Sequence, residues 1–268
     1  MESAMGPLVT KEKVLEENRR VHALENRLYL SRHPEQTNFF QNAILGNTVN
    51  TICATLKPGS RILDLGCGTG YLSLGFLLRG HHVTGLDLSQ EMIRAFEESI
   101  PETLKPQVEL VVGDVEEFLS QNHDEYEVIV LSAILHHLFD YETVLRKICA
   151  RVSSGKQLLV FFEPLKQEVA SPIRFALHRA LSWVDEKLYR TEMKVRNIPV
   201  LDDEYHHSDY QRQFGGVDPN RVHEILRNEG LDVLKTEKYC ARRYGIHAWL
   251  ANRILGTQNT FNLLATRS

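Results

Sequence analysis

The chain has 268 residues, 43% of them hydrophobic, enough for one large domain or one domain with an elaborated cap. Charged residues make up 25% and the formal net charge is -4, so no basic stripe points to nucleic acid. No apolar run approaches the roughly 18 residues of a membrane span, and Met1 to Thr10 lacks a signal-peptide layout, so a cytoplasmic protein without integral membrane association is expected. Cys53, Cys67, Cys149 and Cys240 are scattered, as in a reduced, disulfide-free protein.

Residues 1–10 read as a loose terminus, and Lys11 to about Leu30 as a helix of mixed charge. Asn26 to Ile44 gathers Tyr29, Arg32, His33, Phe39 and Phe40 around one proline; Asn47 to Leu56 reads as a further helix, closed by Lys57-Pro58-Gly59. Ile62 to Leu65 is a short apolar strand carrying Asp64. Gly66, Gly68 and Gly70 follow, with Cys67 a small residue among them, and a helix begins at Tyr71. Such a strand, glycine turn and helix N-terminus form a cradle for a small ligand. The dinucleotide fingerprint G-x-G-x-x-G is not matched, because the third glycine comes one residue early. Asp64 would repel a pyrophosphate and suits a ligand carrying an ammonium group.

Gly80 ends the helix, and Val83 to Leu88 is strand two, with Asp87 21 residues beyond Gly66. In a doubly wound fold that places a carboxylate on the same crevice, where it can accept from both ribose hydroxyls. Ser89 caps the next helix, and Met92 on its first turn is suited to an adenine face or to the core. Val108 to Val112 is strand three, followed by Asp114 and Val115. Tyr126 to Leu131 is strand four, followed by Ser132-Ala133-Ile134-Leu135-His136-His137. Leu158 to Phe162 is strand five, ending near Glu163. Strands alternating with helices predict a parallel sheet covered on both faces. Residues 170–190 have the spacing of an amphipathic helix, and a core helix resumes only at Asp218. Some fifty intervening residues are long for a connection, so 165–215 is read as a substrate cap carrying Trp183, Tyr205, His206 and His207. Val233 to Tyr239 and Thr260 to Thr266 are the last strands.

The run from Ile62 to Gly70, with Asp87 and the segment after strand four, resembles motifs I to IV of the class I S-adenosylmethionine (SAM) dependent methyltransferases of small-molecule type, with a UbiE/UbiG-like core. The motif resemblance covers about residues 60–165; residues 217–268 resemble the family by architecture alone. It implies an α/β fold: a doubly wound, seven-stranded, mostly parallel sheet of order 3-2-1-4-5-7-6 with strand seven antiparallel, N-terminal helices and an inserted helical cap. Residues 1–59 would be a helical lid and 60–268 the methyltransferase domain. The resemblance implies SAM as cofactor and S-adenosylhomocysteine (SAH) as product. Cofactor contacts are then expected from Tyr29 of the lid, Asp64, Gly66, Cys67, Gly68, Gly70, Asp87, Leu88, Met92, Asp114 (accepting from the adenine amino group), Val115, Ser132 and His137.

A SAM methyl group is already electrophilic, so the protein mainly orients the reactants, an effect worth roughly 7–11 kcal/mol. His136 and His137 are the candidate general bases, placed after strand four and titrating near neutrality. Adjacent side chains point apart, so only one is expected to face the cleft, and the resemblance favours His137. Glu163, Trp183, Tyr205, His206 and His207 are the candidate acceptor contacts. Asp202, Asp203, His206, His207 and Asp209 match no metal motif, and no metal is expected. Ser132-Ala133-Ile134-Leu135 is not the sequence of amino-methylating nucleic-acid enzymes. With Phe175, Trp183 and Tyr189 on the cap helix, the expected acceptor is a small organic or lipid-like molecule, methylated on O or N. A homodimer is compatible. The competing readings are a SAM- or SAH-binding scaffold without chemistry, and an NAD-dependent reductase.

Overall fold

The computed structural model describes residues 9–25, 28–168, 171–201 and 208–268. Seven strands, β1 (Arg61–Leu65), β2 (His82–Asp87), β3 (Val108–Val112), β4 (Val128–Ser132), β5 (Gln157–Glu168), β6 (Asp232–Tyr239) and β7 (Gln258–Thr266), form one sheet of order β3-β2-β1-β4-β5-β7-β6. The first five pair in parallel, and β7 runs antiparallel to both β5 and β6. This is the topology implied above.

Alternation along the central strands divides the core into two layers. Ile62, Val83, Val128 and Val130 face one side, under α4 (Phe39–Cys53), α5 (Ser73–Leu77) and α6 (Gln90–Ser99). Leu63, Leu65, Ile129 and Leu131 face the other, under α7 (Val115–Gln121), α8 (Tyr141–Cys149) and α10 (Pro219–Asn228). Burial on both faces explains why Val128 to Leu131 reads as an unbroken apolar run. β1 and β4 are neighbours whose connections leave in opposite directions, so a crevice opens at their C-terminal ends.

Three elements over that crevice differ from the sequence reading. The helix expected over 47–56 is α4, which starts at Phe39, because Asn38 caps it by accepting from the Phe40 and Gln41 N–H groups (3.0 and 3.1 Å). β5 continues past Phe162 to Glu168 along β7, so residues 165–168 belong to the sheet rather than to the cap. The strand bulges at Phe162, whose φ is 59° and whose N–H donates to Asn262 Oδ1 at 2.8 Å. The cap helix α9 runs from Pro172 to Val195. It is tied down by buried Asp185, which meets Arg242 at 3.2 Å and His247 at 2.5 Å. His247 lies on α11 (Gly245–Leu250).

The N-terminal segment forms α1 (Lys11–Glu25), α2 (Tyr29–Arg32) and α3 (Pro34–Thr37). Asn18 of α1 donates to the His137 carbonyl at 3.3 Å, which brings α1 over the end of β4. His33, between α2 and α3, holds Glu25 at 2.5 Å and Glu35 at 3.1 Å. Among the described residues no helix is long and apolar enough to cross a membrane.

Candidate active site

The turn after β1 is built by glycines with different tasks. A Cβ on Gly70 would stand 2.0 Å from a ring carbon of Phe96, so Gly70 lets α6 close on the loop and does not itself line the cleft. A Cβ on Gly68 would meet nothing within 4 Å, and this open side borders the cleft. The Gly66 and Cys67 N–H groups donate to the Leu86 carbonyl (2.8 and 2.9 Å), fastening the loop to the end of β2.

Asp87 is fixed by two backbone donors. Gly68 N–H reaches its Oδ2 at 2.9 Å and Ser89 N–H its Oδ1 at 2.8 Å. Each oxygen keeps a second lone pair for a ligand hydroxyl. Asp64 lies behind the loop, outside the cleft lining. Its Oδ2 accepts from the Ser73 hydroxyl at 2.6 Å, while its buried Oδ1 has no hydrogen-bond partner among the described residues. Burial pushes the Asp64 carboxyl up to about 7, and Asp87 adds to the rise. Burial also holds Asp87 above the ordinary range, against the opposing charge of His22 and its backbone donors. Two buried, mutually repelling carboxylates attract a cationic ligand and oppose a pyrophosphate.

The rest of the cleft follows the strand ends. Leu88 and Met92 come from β2 and α6, Asp114 and Val115 from the end of β3, and Ser132, Ala133 and His137 from the end of β4. Asp114 also caps α7, its Oδ1 accepting from the Glu116 and Glu117 N–H groups (2.9 and 3.1 Å). Leu15, Asn18, His22, Tyr29 and Gln36 close the cleft from the N-terminal helices.

A second cavity of about 780 Å³ adjoins the first, and His22, Tyr29, Gln36, Ala133, His137 and Phe162 wall both. Ala133, with φ 53°, and Phe162 are two of the three non-glycine residues with positive φ among the described residues. Such strain is stored where the surrounding structure fixes it, here at the junction of the cavities. The chamber is polar. Arg32, Arg212, Arg242 and Arg243 alternate around it with Glu25, Glu35, Asp185, Glu186 and Asp209.

Several acceptor-side expectations are corrected. Both His136 and His137 reach the chamber, because residues 135–137 form a 3-10 turn that stacks their rings 4.0 Å apart; only His137 also lines the cleft. Glu163 does not face the chamber. It is fully buried and accepts from the Ile134, Leu135 and His136 N–H groups (2.7, 2.8 and 3.2 Å) and from His136 Nδ1 (2.9 Å). With four donors around one carboxylate, it braces the loop after β4 instead of binding an acceptor. Trp183 is 64% exposed under Lys187 and lines neither cavity, and Phe175 also faces solvent. Of the cap helix aromatics only Tyr189 walls the chamber. Tyr205, His206 and His207 lie outside the described residues, as do Asp202 and Asp203.

His22 emerges only from the fold, and Asp209, weighed above only within a polar cluster, gains its partners there. His22 sits between the cavities, 3.3 Å from Glu25 and edge-on to His137, with ring centroids 5.3 Å apart. Burial disfavours its charge, but Glu25, Asp87 and Asp209 together raise its pKa. Asp209 comes from the far end of the cap and lies 3.5 Å from His137 Nδ1 and 3.9 Å from His136 Nε2. A lone histidine on a mixed helix carries no local pattern beyond the i, i+3 spacing of His22 and Glu25, and the polar cluster that contains Asp209 does not point to the histidine pair after β4.

Sheet order, glycine loop and paired acids define the fold of the class I SAM-dependent methyltransferases. Residues 62–155 match the family model described as a methyltransferase domain. The ubiquinone biosynthesis O-methyltransferase of Aeromonas salmonicida is 38% identical over 104 residues, which is 38% of this chain and 42% of that protein. The matched segments span less than half the length of the first curated relatives, from 42% to 47%. The structure of magnesium protoporphyrin IX methyltransferase from Synechocystis PCC 6803 with bound SAH superposes with a TM-score of 0.57 at 16% identity, over 94% of this chain and 100% of that one. The 4+2 cyclase SpnF superposes at 0.60 and 17% identity, over 97% and 98%. The match marks residues 62–155 as a methyltransferase domain, and the chain as a whole has the fold of the class I SAM-dependent methyltransferases. The cofactor of that class fits here on the chain's own terms: an orphaned buried oxygen on Asp64, an open cradle at Gly68 and a pre-aimed Asp87.

Proposed function

We propose that the protein transfers the SAM methyl group to an oxygen or nitrogen of a small, polar acceptor held in the chamber. The shared wall of the two cavities carries this reading, because it opens an acceptor site onto the end of the cofactor cleft. When bound, SAM supplies a methyl group made electrophilic by its sulfonium. Asp87 would hold the ribose hydroxyls and Asp114 the adenine amino group, with Leu88 and Met92 against the adenine, and the charge of Asp64 behind the loop would draw the amino-acid end. Tyr29 and its neighbours on α2 and α3 would close over the cleft and exclude water. The charged chamber favours an acceptor bearing hydroxyl, carboxylate or amino groups over a lipid tail.

His137 is our proton acceptor in this reading. Its Nδ1 lies 2.7 Å from the Ser208 carbonyl, which can only accept, so the proton is on Nδ1 and the lone pair on Nε2. Burial, together with neighbouring His136, holds the His137 pKa well below its ordinary value, so the ring is neutral at pH 7. The test is SAH release from SAM with a panel of hydroxylated and amino acids, phenols and long-chain acceptors. Turnover confined to the polar members supports the proposal. Tight SAM binding with no turnover on any member would favour the scaffold reading.

A further inference from the structure

His136, His137 and Asp209 come together although 72 residues separate Asp209 from His137 in the chain. One ring nitrogen from each histidine and one Asp209 oxygen all lie within 4.8 Å of one another. We propose that these three residues bind a divalent transition-metal cation at the wall of the chamber, where it would hold an oxygen of the acceptor. The role assigned to the cation rests on the methyl-transfer reading; the binding site itself does not.

Three features set this group apart from an ordinary ion pair. First, His136 is oriented from behind. Glu163 Oε2 meets His136 Nδ1 at 2.9 Å, which turns the lone pair of Nε2 toward Asp209. A carboxylate behind a ligating histidine is the usual way of fixing its tautomer and raising its basicity. Glu163 is itself immobilised by three backbone donors, so His136 cannot turn away. Second, the spacing is close to that of a ligand set. The Asp209 oxygen stands 3.5 and 3.9 Å from the two histidine nitrogens, and a small inward movement would bring all three within roughly 2.0–2.2 Å of one centre. Arg212 holds the other Asp209 oxygen at 3.0 Å and keeps the carboxylate in place. Third, all three residues line the chamber, so the remaining positions around a cation would open onto the acceptor space.

Two imidazoles and one carboxylate, with open positions, suit Mn²⁺, Fe²⁺, Co²⁺ or Zn²⁺ better than the all-oxygen preference of Ca²⁺ or Mg²⁺. Coordination through His137 Nδ1 displaces the bond to the Ser208 carbonyl and moves the ring proton to Nε2, leaving the imidazole neutral. Such a cation polarises and places a bound hydroxyl.

The test uses the whole chain, stripped with a chelator and titrated with Mn²⁺ and Co²⁺ by calorimetry and Co²⁺ absorption, with SAM titrated in parallel. One ion per chain, a Co²⁺ spectrum of nitrogen-oxygen coordination, and at least tenfold weaker binding in Asp209→Asn and His136→Gln support the site. Asp209 is partly exposed, so Asp209→Asn is expected to fold, with SAM affinity within twofold of the parent. No saturable binding to the parent protein, or equal binding in both variants, overturns the proposal. Saturable, variant-sensitive cation binding in a protein that takes up no SAM supports the site while removing the methyl-transfer reading it was given.

Discussion

Asp64, one residue before the end of β1, and Asp87, at the end of β2, are buried on adjacent strands, and each carries a separable prediction. The folded-state pKa of Asp64 lies near 7, above its ordinary 3.8. Its contribution to stability is therefore fully present below pH 3.8 and is lost as pH rises through about 7. Above pH 7 the ionised carboxylate weighs against the ligand-free fold, and a cationic group bound in the cleft on the other side of the loop would relieve it. SAM affinity is therefore predicted to be about tenfold weaker at pH 6 than at pH 8, with a proton released on binding at pH 6. Calorimetry in buffers of different ionisation enthalpy measures both quantities. Asp64→Asn is expected to flatten the dependence; a parent protein with no pH dependence would refute the assignment. Asp87→Ala is expected to weaken SAM binding by about 1.5–3 kcal/mol, the range for hydrogen bonds to a charged group. Unchanged affinity would remove Asp87 from the ribose site. His137→Ala is expected to lower turnover while leaving SAM affinity nearly intact, and full turnover across pH 6–9 would dismiss it as the base.

At the scale of elements, the glycine loop and the N-terminal helices hold the cleft by different means. The loop depends on shape. Gly70→Ala would press a methyl group into the Phe96 ring at positive φ, and a cost of roughly 2–5 kcal/mol is expected from overpacking and left-handed backbone together. A melting temperature within a degree of the parent would show that α6 can retreat. The N-terminal helices depend on charge. Burial opposes the charge on His33, but Glu25 and Glu35 outweigh it and raise its pKa to about 10. That contribution is fully present below His33's ordinary 6.5 and is lost as pH rises through about 10. Glu25 is held below its ordinary 4.5 by His22 and His33 despite its burial, so its contribution is present above pH 4.5 and lost in acid. The segment over the cleft is therefore predicted to be tightest between pH 4.5 and 6.5. Limited proteolysis should cut residues 11–37 faster near pH 10 while the sheet stays intact. Equal cleavage rates at pH 6 and pH 10 would count against this network.

At the scale of the whole molecule, sequence and structure divide the site into a legible and an illegible half. The cofactor side was readable because its chemistry is local. Asp64, the glycine loop, Asp87 and Asp114 fall within about fifty residues, and each sits at a strand end that alternation and turn residues announce. Regular strand and helix spacing announced a parallel sheet covered on both faces, while the strand order came from the family resemblance and is the order observed. The acceptor side is assembled by the fold from His22 on α1, the histidine pair after β4, Asp209 beyond the cap helix and Arg242 after β6. The histidine pair was legible as a candidate base and His22 had only its spacing to Glu25, but no local pattern joins these residues to Asp209 or Arg242. Glu163 was misplaced because strand five was ended too early; its burial follows from the bulge at Phe162 and continued pairing with β7. Trp183 was misplaced because amphipathic spacing says that a helix has two faces, not which one meets the chamber.

The most direct test of the account is a side-by-side calorimetric titration of the purified protein with SAM, SAH and NAD. The paired buried acids and the open glycine cradle predict micromolar binding of SAM or SAH and no response to NAD. Binding of NAD in place of SAM, or of none of the three, would contradict the reading of the cleft and the function built on it.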